Sequence, residues 1–120
     1  MEKQPVSFYS EGHKLDGDLY LPEGLATSDI RAGVALCHGY TGVKDLYLPD
    51  NARVLCEAGY IVLTFDYKGW GKSEGTRDRL APYSRVADVQ AAITFLGAQP
   101  QVDEDAIGIY GTSYGGATVV

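Results

Sequence analysis

Three short apolar runs restrict this chain to a narrow set of folds. Gly33-Val34-Ala35-Leu36-Cys37 and Tyr60-Ile61-Val62-Leu63-Thr64-Phe65 are continuous, and Asp105-Ala106-Ile107-Gly108-Ile109-Tyr110 is nearly so. Each has strand length, and none alternates as a strand with one wet face would, so each reads as a strand buried on both faces. Helical periodicities separate them. Leu48, Ala52, Leu55 and Cys56 share one helix face, with Gly59 placed to end it at the C′ position. Val86, Val89, Ile93 and Leu96 share another, over 84–97, with Ser84 as N-cap and Pro100 closing the segment. Buried strands alternating with helices imply a parallel sheet covered on both faces.

Ahead of this alternation, Val6 to Tyr9 and Leu15 to Leu21 alternate apolar and polar residues on either side of Ser10-Glu11-Gly12-His13-Lys14. That pattern predicts a hairpin of half-exposed strands, ended by Pro22-Glu23-Gly24. The expected order is hairpin, strand, helix, strand, helix, strand. The 120 residues suffice for one modest α/β unit, 1–120, without repeats or long linkers. A formal net charge of −6 argues against a nucleic-acid partner, which needs a basic patch. No apolar run reaches membrane-spanning length, and no apolar secretory core follows Met1, so the expected setting is cytoplasmic, without a membrane partner. With only Cys37 and Cys56, a disulfide framework is not expected, and both read as small core residues.

In a parallel sheet function gathers at the carboxyl ends of the strands. Three glycine-rich segments fall there: His38-Gly39-Tyr40-Thr41-Gly42, the stretch from Asp66 holding Gly69, Gly71 and Gly75, and Gly111-Thr112-Ser113-Tyr114-Gly115-Gly116. The last is a Gly-Xaa-Ser-Xaa-Gly pattern directly after a buried strand. A nucleophile elbow has this form: strand, sharp turn, helix, with serine at the apex and flanking glycines allowing close packing. An ordinary strand-to-helix turn with a capping serine shares the local pattern. What separates the two is the coincidence of three such segments at one edge of the sheet.

Taken together, His38-Gly39, Asp66-Tyr67-Lys68-Gly69-Trp70-Gly71-Lys72-Ser73 and the elbow make the chain resemble the N-terminal part of an α/β-hydrolase-fold serine hydrolase. The resemblance spans essentially the whole chain, with esterases, dienelactone-hydrolase-like proteins and Xaa-Pro dipeptidyl-peptidase-like hydrolases as the nearest types. Dienelactone hydrolases proper carry cysteine at the elbow, where this chain has Ser113. The resemblance implies Ser113 as nucleophile and the backbone N–H groups of Tyr114 and Tyr40 as an oxyanion hole, each such donor typically contributing ~3 kcal/mol. The Tyr40 hydroxyl is an alternative donor. His38, Gly39, Gly111 and Gly115 would support the site, with His38 shaping the oxyanion loop and not serving as base. Asp66 would cap the turn after its strand, and Lys68 stands where arginine is more usual. The substrate would be a small acyl compound, and no cofactor or metal is implied.

Other chemistries fit less well. Gly71-Lys72-Ser73 lacks the earlier glycine of a phosphate-binding loop, position 66 being Asp, and Gly69-Trp70-Gly71 lacks a third glycine at Glu74. No His, Cys, Asp or Glu set has metal-ligand spacing, and His13 reads as a solvated turn residue. A catalytic triad needs a carboxylate and a histidine, which in this fold follow the serine, and only seven residues follow Ser113. The segment Ala117-Thr118-Val119-Val120 is apolar and uncapped, so these residues read as the first portion of a protein roughly twice as long or longer. The alternatives are a non-catalytic binding module of the same fold and an inactive fragment. Reading the gene beyond the Val120 codon separates these. The expected outcome is an open frame with an Asp or Glu and then a His, each after a further strand pattern. A stop codon there removes the working-enzyme reading of this chain.

Overall fold

Glu11 and Gly12 both take positive φ, 50° and 80°, and so reverse the chain in a two-residue turn whose twist suits a hairpin. In the computed structural model, which describes residues 1–37, 48–75 and 82–111, this turn joins β1 (Glu2–Ser10) to β2 (His13–Leu21). Their antiparallel pairing runs from Glu2 opposite Leu21 to Ser10 opposite His13, so His13 opens β2 and is exposed. The remaining elements are β3 (Arg31–Cys37), α1 (Leu48–Glu57), β4 (Ile61–Phe65), α2 (Pro82–Gly97) and β5 (Val102–Gly111). They form a five-stranded sheet in the order β1-β2-β4-β3-β5. β3 pairs in parallel with both β4 and β5, and β2 meets β4 antiparallel. This is the α/β arrangement expected from the alternation of apolar runs with helical periods. Among the described residues no helix is long and apolar enough to cross a membrane.

Strand alternation sends side chains to two separate cores. Ala35 and Cys37 of β3, Ile61, Leu63 and Phe65 of β4, and Phe8, Leu15 and Leu19 of the hairpin face α2 through Val89, Ala92 and Leu96. Leu36, Val62 and Tyr20 face α1 through Leu48, Ala52 and Cys56. Both thiols are thus buried and free, as their reading as small core residues requires. α1 carries Asp50 in its first turn, where the helix dipole favours negative charge. It stops as expected at Gly59, whose φ of 102° an L side chain would resist. There Gly59 N–H donates to Cys56 O at 3.0 Å and Tyr60 N–H to Leu55 O at 3.2 Å, the paired bonds of a Schellman cap.

Two expectations are corrected. α2 begins at Pro82 instead of Ser84, so Ser84 lies inside the first turn and is not its N-cap. Proline at a helix start sacrifices no hydrogen bond, which permits the earlier beginning. Of the expected face, Val89 and Leu96 are buried and Ile93 packs against the same core, whereas Val86 is 39% exposed and the buried side includes Arg85, Asp88 and Ala92 instead. Second, β5 was expected to be buried on both faces, yet Ile109 and Tyr110 are 37% and 46% exposed. β5 lies at the sheet edge, and a Cβ added at Gly108 would meet nothing within 4 Å. Its apolar sequence is that of an interior strand, but among the described residues only β3 flanks it.

The departure of Val86 from the buried face of α2 has a direct test. Leu96 lies so close to β3 that a Cβ on Gly33 would fall 3.0 Å from it. Leu96→Ala is expected to lower unfolding free energy by about 2–5 kcal/mol in urea titration. Val86→Ala should stay within about 0.5 kcal/mol. The face drawn from Val86, Val89, Ile93 and Leu96 would instead make both costly.

Candidate functional site at the carboxyl ends of the strands

Parallel pairing puts the exits of β3, β4 and β5 at one edge of the sheet. The register sets Cys37 opposite Gly111. The chain therefore leaves two neighbouring strands side by side, into His38-Gly39-Tyr40 from β3 and into Thr112-Ser113-Tyr114-Gly115 from β5. Of the residues expected to form the site, Gly111 is the last of β5. Ser113, Tyr114, Gly115, His38, Gly39 and Tyr40 lie outside the described residues. The architecture thus brings together the strand ends that precede each expected segment.

The third exit, after β4, is described as far as Gly75. Asp66 accepts a hydrogen bond from Lys72 N–H at 3.1 Å through Oδ2, capping the turn as its sequence position suggested. Gly71 is required there: its φ is 52°, and a Cβ would fall 2.4 Å from the Asp66 carboxylate. Ser73 Oγ donates to Asp66 O at 2.5 Å and accepts from Asp16 N–H at 2.8 Å. Asp66 N–H donates to Asp16 O at 2.9 Å and Glu74 N–H to Lys14 O at 2.8 Å. The glycine-rich turn is therefore stitched to β2. Its serine and aspartate bind backbone groups and hold shape, which agrees with the failure of the nucleotide-loop readings.

Ser10, Lys68 and Asp88 form a largely buried polar group around this turn, reached from solvent by the exposed Glu11, that motif reading did not find. The Lys68 ammonium pairs with the Asp88 carboxylate, lies 2.9 Å from Glu11 Oε1 and donates to Ser10 Oγ at 3.1 Å. Lys68 N–H donates to the other Asp88 oxygen at 2.9 Å. One side chain so ties the hairpin end, the turn and α2 together. One helical turn before Asp88, the Arg85 guanidinium lies 4.2 Å over the Tyr67 ring and 5.6 Å from the Trp70 ring centre. Phe65 meets Tyr67 edge-on at 5.1 Å. Tyr67 and Cys37 are both fully buried in the core that faces α2. A signal did exist in the sequence. Arg85 and Asp88 fall on the same helix face as Val89, Ala92 and Leu96, where charges need buried partners.

Electrostatics at Cys37 favour the neutral thiol. Burial pushes it from the ordinary 9.0 up to about 11, against smaller opposing effects of the neighbouring Tyr67 and Arg85 side chains. Burial also raises Tyr67 far above the usual phenol value, with added repulsion from Cys37, and raises Cys56. Cys37 is thus no nucleophile, since the thiolate is the reactive form. Among the described residues no group of three or more His, Cys, Asp or Glu side chains is arranged to hold a metal ion.

This layout is that of an α/β hydrolase: parallel strands between helices, a preceding hairpin, and the carboxyl ends of the parallel strands gathered at one edge. Comparison with known proteins makes the assignment particular. Residues 28–120 match the family described as serine aminopeptidase, S33, and the chain belongs to that family. It is 38% identical over 111 residues to the thiohydrolase aneE of Aspergillus aculeatus, covering 92% of this chain and 33% of that protein. The crystal structure of the alpha/beta hydrolase GrgF from Penicillium superposes with TM-score 0.90 at 27% identity, covering 98% of this chain and 40% of that one. A Pyrococcus furiosus esterase superposes with TM-score 0.80 at 26% identity, covering 98% and 42%. The chain thus spans about a third to two fifths of the length of these relatives, and corresponds to the N-terminal part of the fold.

The thiol shift sets a pH dependence. A group whose folded value is raised contributes stability that is complete below its unfolded value and is lost as pH climbs through the folded value. Unfolding free energy is therefore expected to fall between about pH 9 and pH 11. Cys37→Ser removes this titration, and urea midpoints measured across that range should then decline less steeply.

Proposed function

We propose that this chain carries the nucleophile and oxyanion portion of a serine hydrolase acting on small ester, amide or thioester substrates. The observation that carries the reading is the pairing of Cys37 with Gly111, which makes the segments from His38 and from Thr112 leave neighbouring strands at one edge. In this reading the Ser113 hydroxyl attacks the acyl carbon while its proton passes to a histidine, itself oriented by a carboxylate. In this fold both partners follow the serine in chain order. The oxygen of the tetrahedral intermediate accepts hydrogen bonds from the N–H groups of Tyr114 and Tyr40. His38, Gly39, Gly111 and Gly115 shape the two segments. Collapse expels the alcohol, thiol or amine and leaves an acyl group on Ser113, which water then removes. No cofactor takes part.

Relatives support the bond types. The family's name denotes a peptide-bond hydrolase, and the similar proteins include a thiohydrolase and an esterase. All three reactions attack an acyl carbon and share one oxyanion intermediate, so one site serves each class.

A fluorophosphonate probe tests this directly on the longest polypeptide that the gene encodes. Labelling should occur and should vanish in Ser113→Ala, with turnover of a chromogenic ester falling on the order of 10⁴–10⁶-fold. A folded sample without Ser113-dependent labelling would instead be a binding module. The 120-residue chain by itself should label feebly at most, lacking a base for the serine.

A further inference from the structure

The hairpin outruns the strand it pairs with. Gly17 lies opposite Phe65, the last residue of β4, so His13 to Asp16 of β2 continue past the carboxyl end of β4. At Gly17 the two strands are tightly packed, since a Cβ there would fall 2.8 Å from Thr64 O. The last apolar rung of the hairpin is Phe8 opposite Leu15, both buried in the core that faces α2. Beyond that rung, Tyr9, Glu11, Gly12, His13 and Lys14 are exposed, and Ser10 alone is buried. The tip, residues 9–14, therefore buries no apolar side chain of its own.

Polar groups hold it instead, and they fall on two sides of the Phe8–Leu15 rung. On the sheet side, Asp66 N–H donates to Asp16 O at 2.9 Å, and Asp16 N–H to Ser73 Oγ at 2.8 Å. On the tip side, Glu74 N–H donates to Lys14 O, and Lys14 N–H donates to Glu74 Oε1, each at 2.8 Å. The second of these bonds is made by an exposed side chain standing in for a strand carbonyl. The Lys68 ammonium closes the end. An ammonium has three N–H donors spread in space. This one meets Ser10 Oγ at 3.1 Å, Glu11 Oε1 at 2.9 Å and the Asp88 carboxylate on α2. Two of those three acceptors belong to the tip.

Segments with few buried apolar contacts and exposed hydrogen bonds open at a lower free-energy cost than the sheet that carries them. We propose that residues 9–14 form a strap, hinged at the Phe8–Leu15 rung and clasped by Lys68, which opens from the turn after β4 as one unit while the sheet stays paired. Opening brings water to Ser10 Oγ and to the Lys68 ammonium, beside the exit of β4, and leaves the Lys68–Asp88 pair in place. The strap is thus the flank of the carboxyl edge that can move without disturbing β3, β4 or β5. This holds whether or not Ser113 is a nucleophile.

The test is amide hydrogen exchange, resolved residue by residue, on the longest polypeptide the gene encodes. In the unmodified protein the Lys14 and Glu74 amides should share one protection factor, on the order of tenfold or more below those of Asp16, Asp66, Leu19 and Leu63. The double variant Ser10→Ala with Glu11→Gln removes one tip acceptor of Lys68 and neutralises the other. It touches neither Lys14 nor Glu74. It should nonetheless lower protection at both by one shared factor, on the order of tenfold, while Asp16, Asp66, Leu19 and Leu63 keep theirs. If the double variant does not fold, Glu11→Gln alone, altering an exposed side chain, carries the same test with a shared loss of about threefold. Unequal losses at Lys14 and Glu74 would mean that the tip frays piecemeal. No loss at either would mean that Lys68 is not the clasp. An equal loss at Leu19 and Leu63 would mean that the tip opens only with the whole fold. Each of these outcomes overturns the strap.

Discussion

Everything at the carboxyl edge depends on the burial of β3 between two parallel neighbours. Its side chains go alternately to α2 and α1, so Ala35 and Cys37 close one core while Leu36 closes the other. Parallel pairing with β4 and β5 then aligns three strand ends at one edge. A parallel strand needs a crossover, and right-handed crossovers in opposite directions place their helices on opposite faces. This is why α1, leading from β3 to β4, and α2, leading back to β5, cover different sides.

The hairpin and the turn after β4 serve that edge from outside. β2 is antiparallel to β4, and it delivers Asp16 and Lys14 to the turn that Asp66 and Ser73 shape. Lys68 carries the same linkage onward to Asp88 on α2. A buried ion pair of this kind adds little net stability compared with apolar packing, because desolvation offsets most of the attraction. Its directionality is what apolar contacts lack, and it leaves one arrangement of hairpin, turn and helix with every charge matched.

The open flank at β5 sets the scale on which the protein must be understood. A strand composed as Ala106-Ile107-Gly108-Ile109-Tyr110 suits an interior position, and an apolar edge invites pairing. The Penicillium hydrolase and the Pyrococcus esterase superpose on nearly the whole chain while extending well past it, with the chain covering 40% and 42% of them. The described strands thus correspond to the leading portion of the architecture that those two proteins have.

The sequence alone carried a great deal. Apolar run length and helical period specified the order of elements. Gly12, Gly59 and Gly71 marked turns that only positive φ allows, and Asp66 announced a cap. These are local properties, written in residues close to one another. The candidate site is written as motifs contiguous in sequence, the Gly-Xaa-Ser-Xaa-Gly pattern and the segment after β3, and of its residues only Gly111 lies among those the structure describes. What tertiary structure alone decided is which strands are neighbours, which face of α2 is buried, and what surrounds Lys68. Val86 fits the apolar period of α2 yet is exposed, because Arg85 and Asp88, which an apolar period does not register, take buried positions. Arg85 and Asp88 are buried only because Tyr67 and Lys68, at 18 and 20 residues' separation, are present to receive them. Such pairings depend on the path of the chain through space, and no local pattern encodes them.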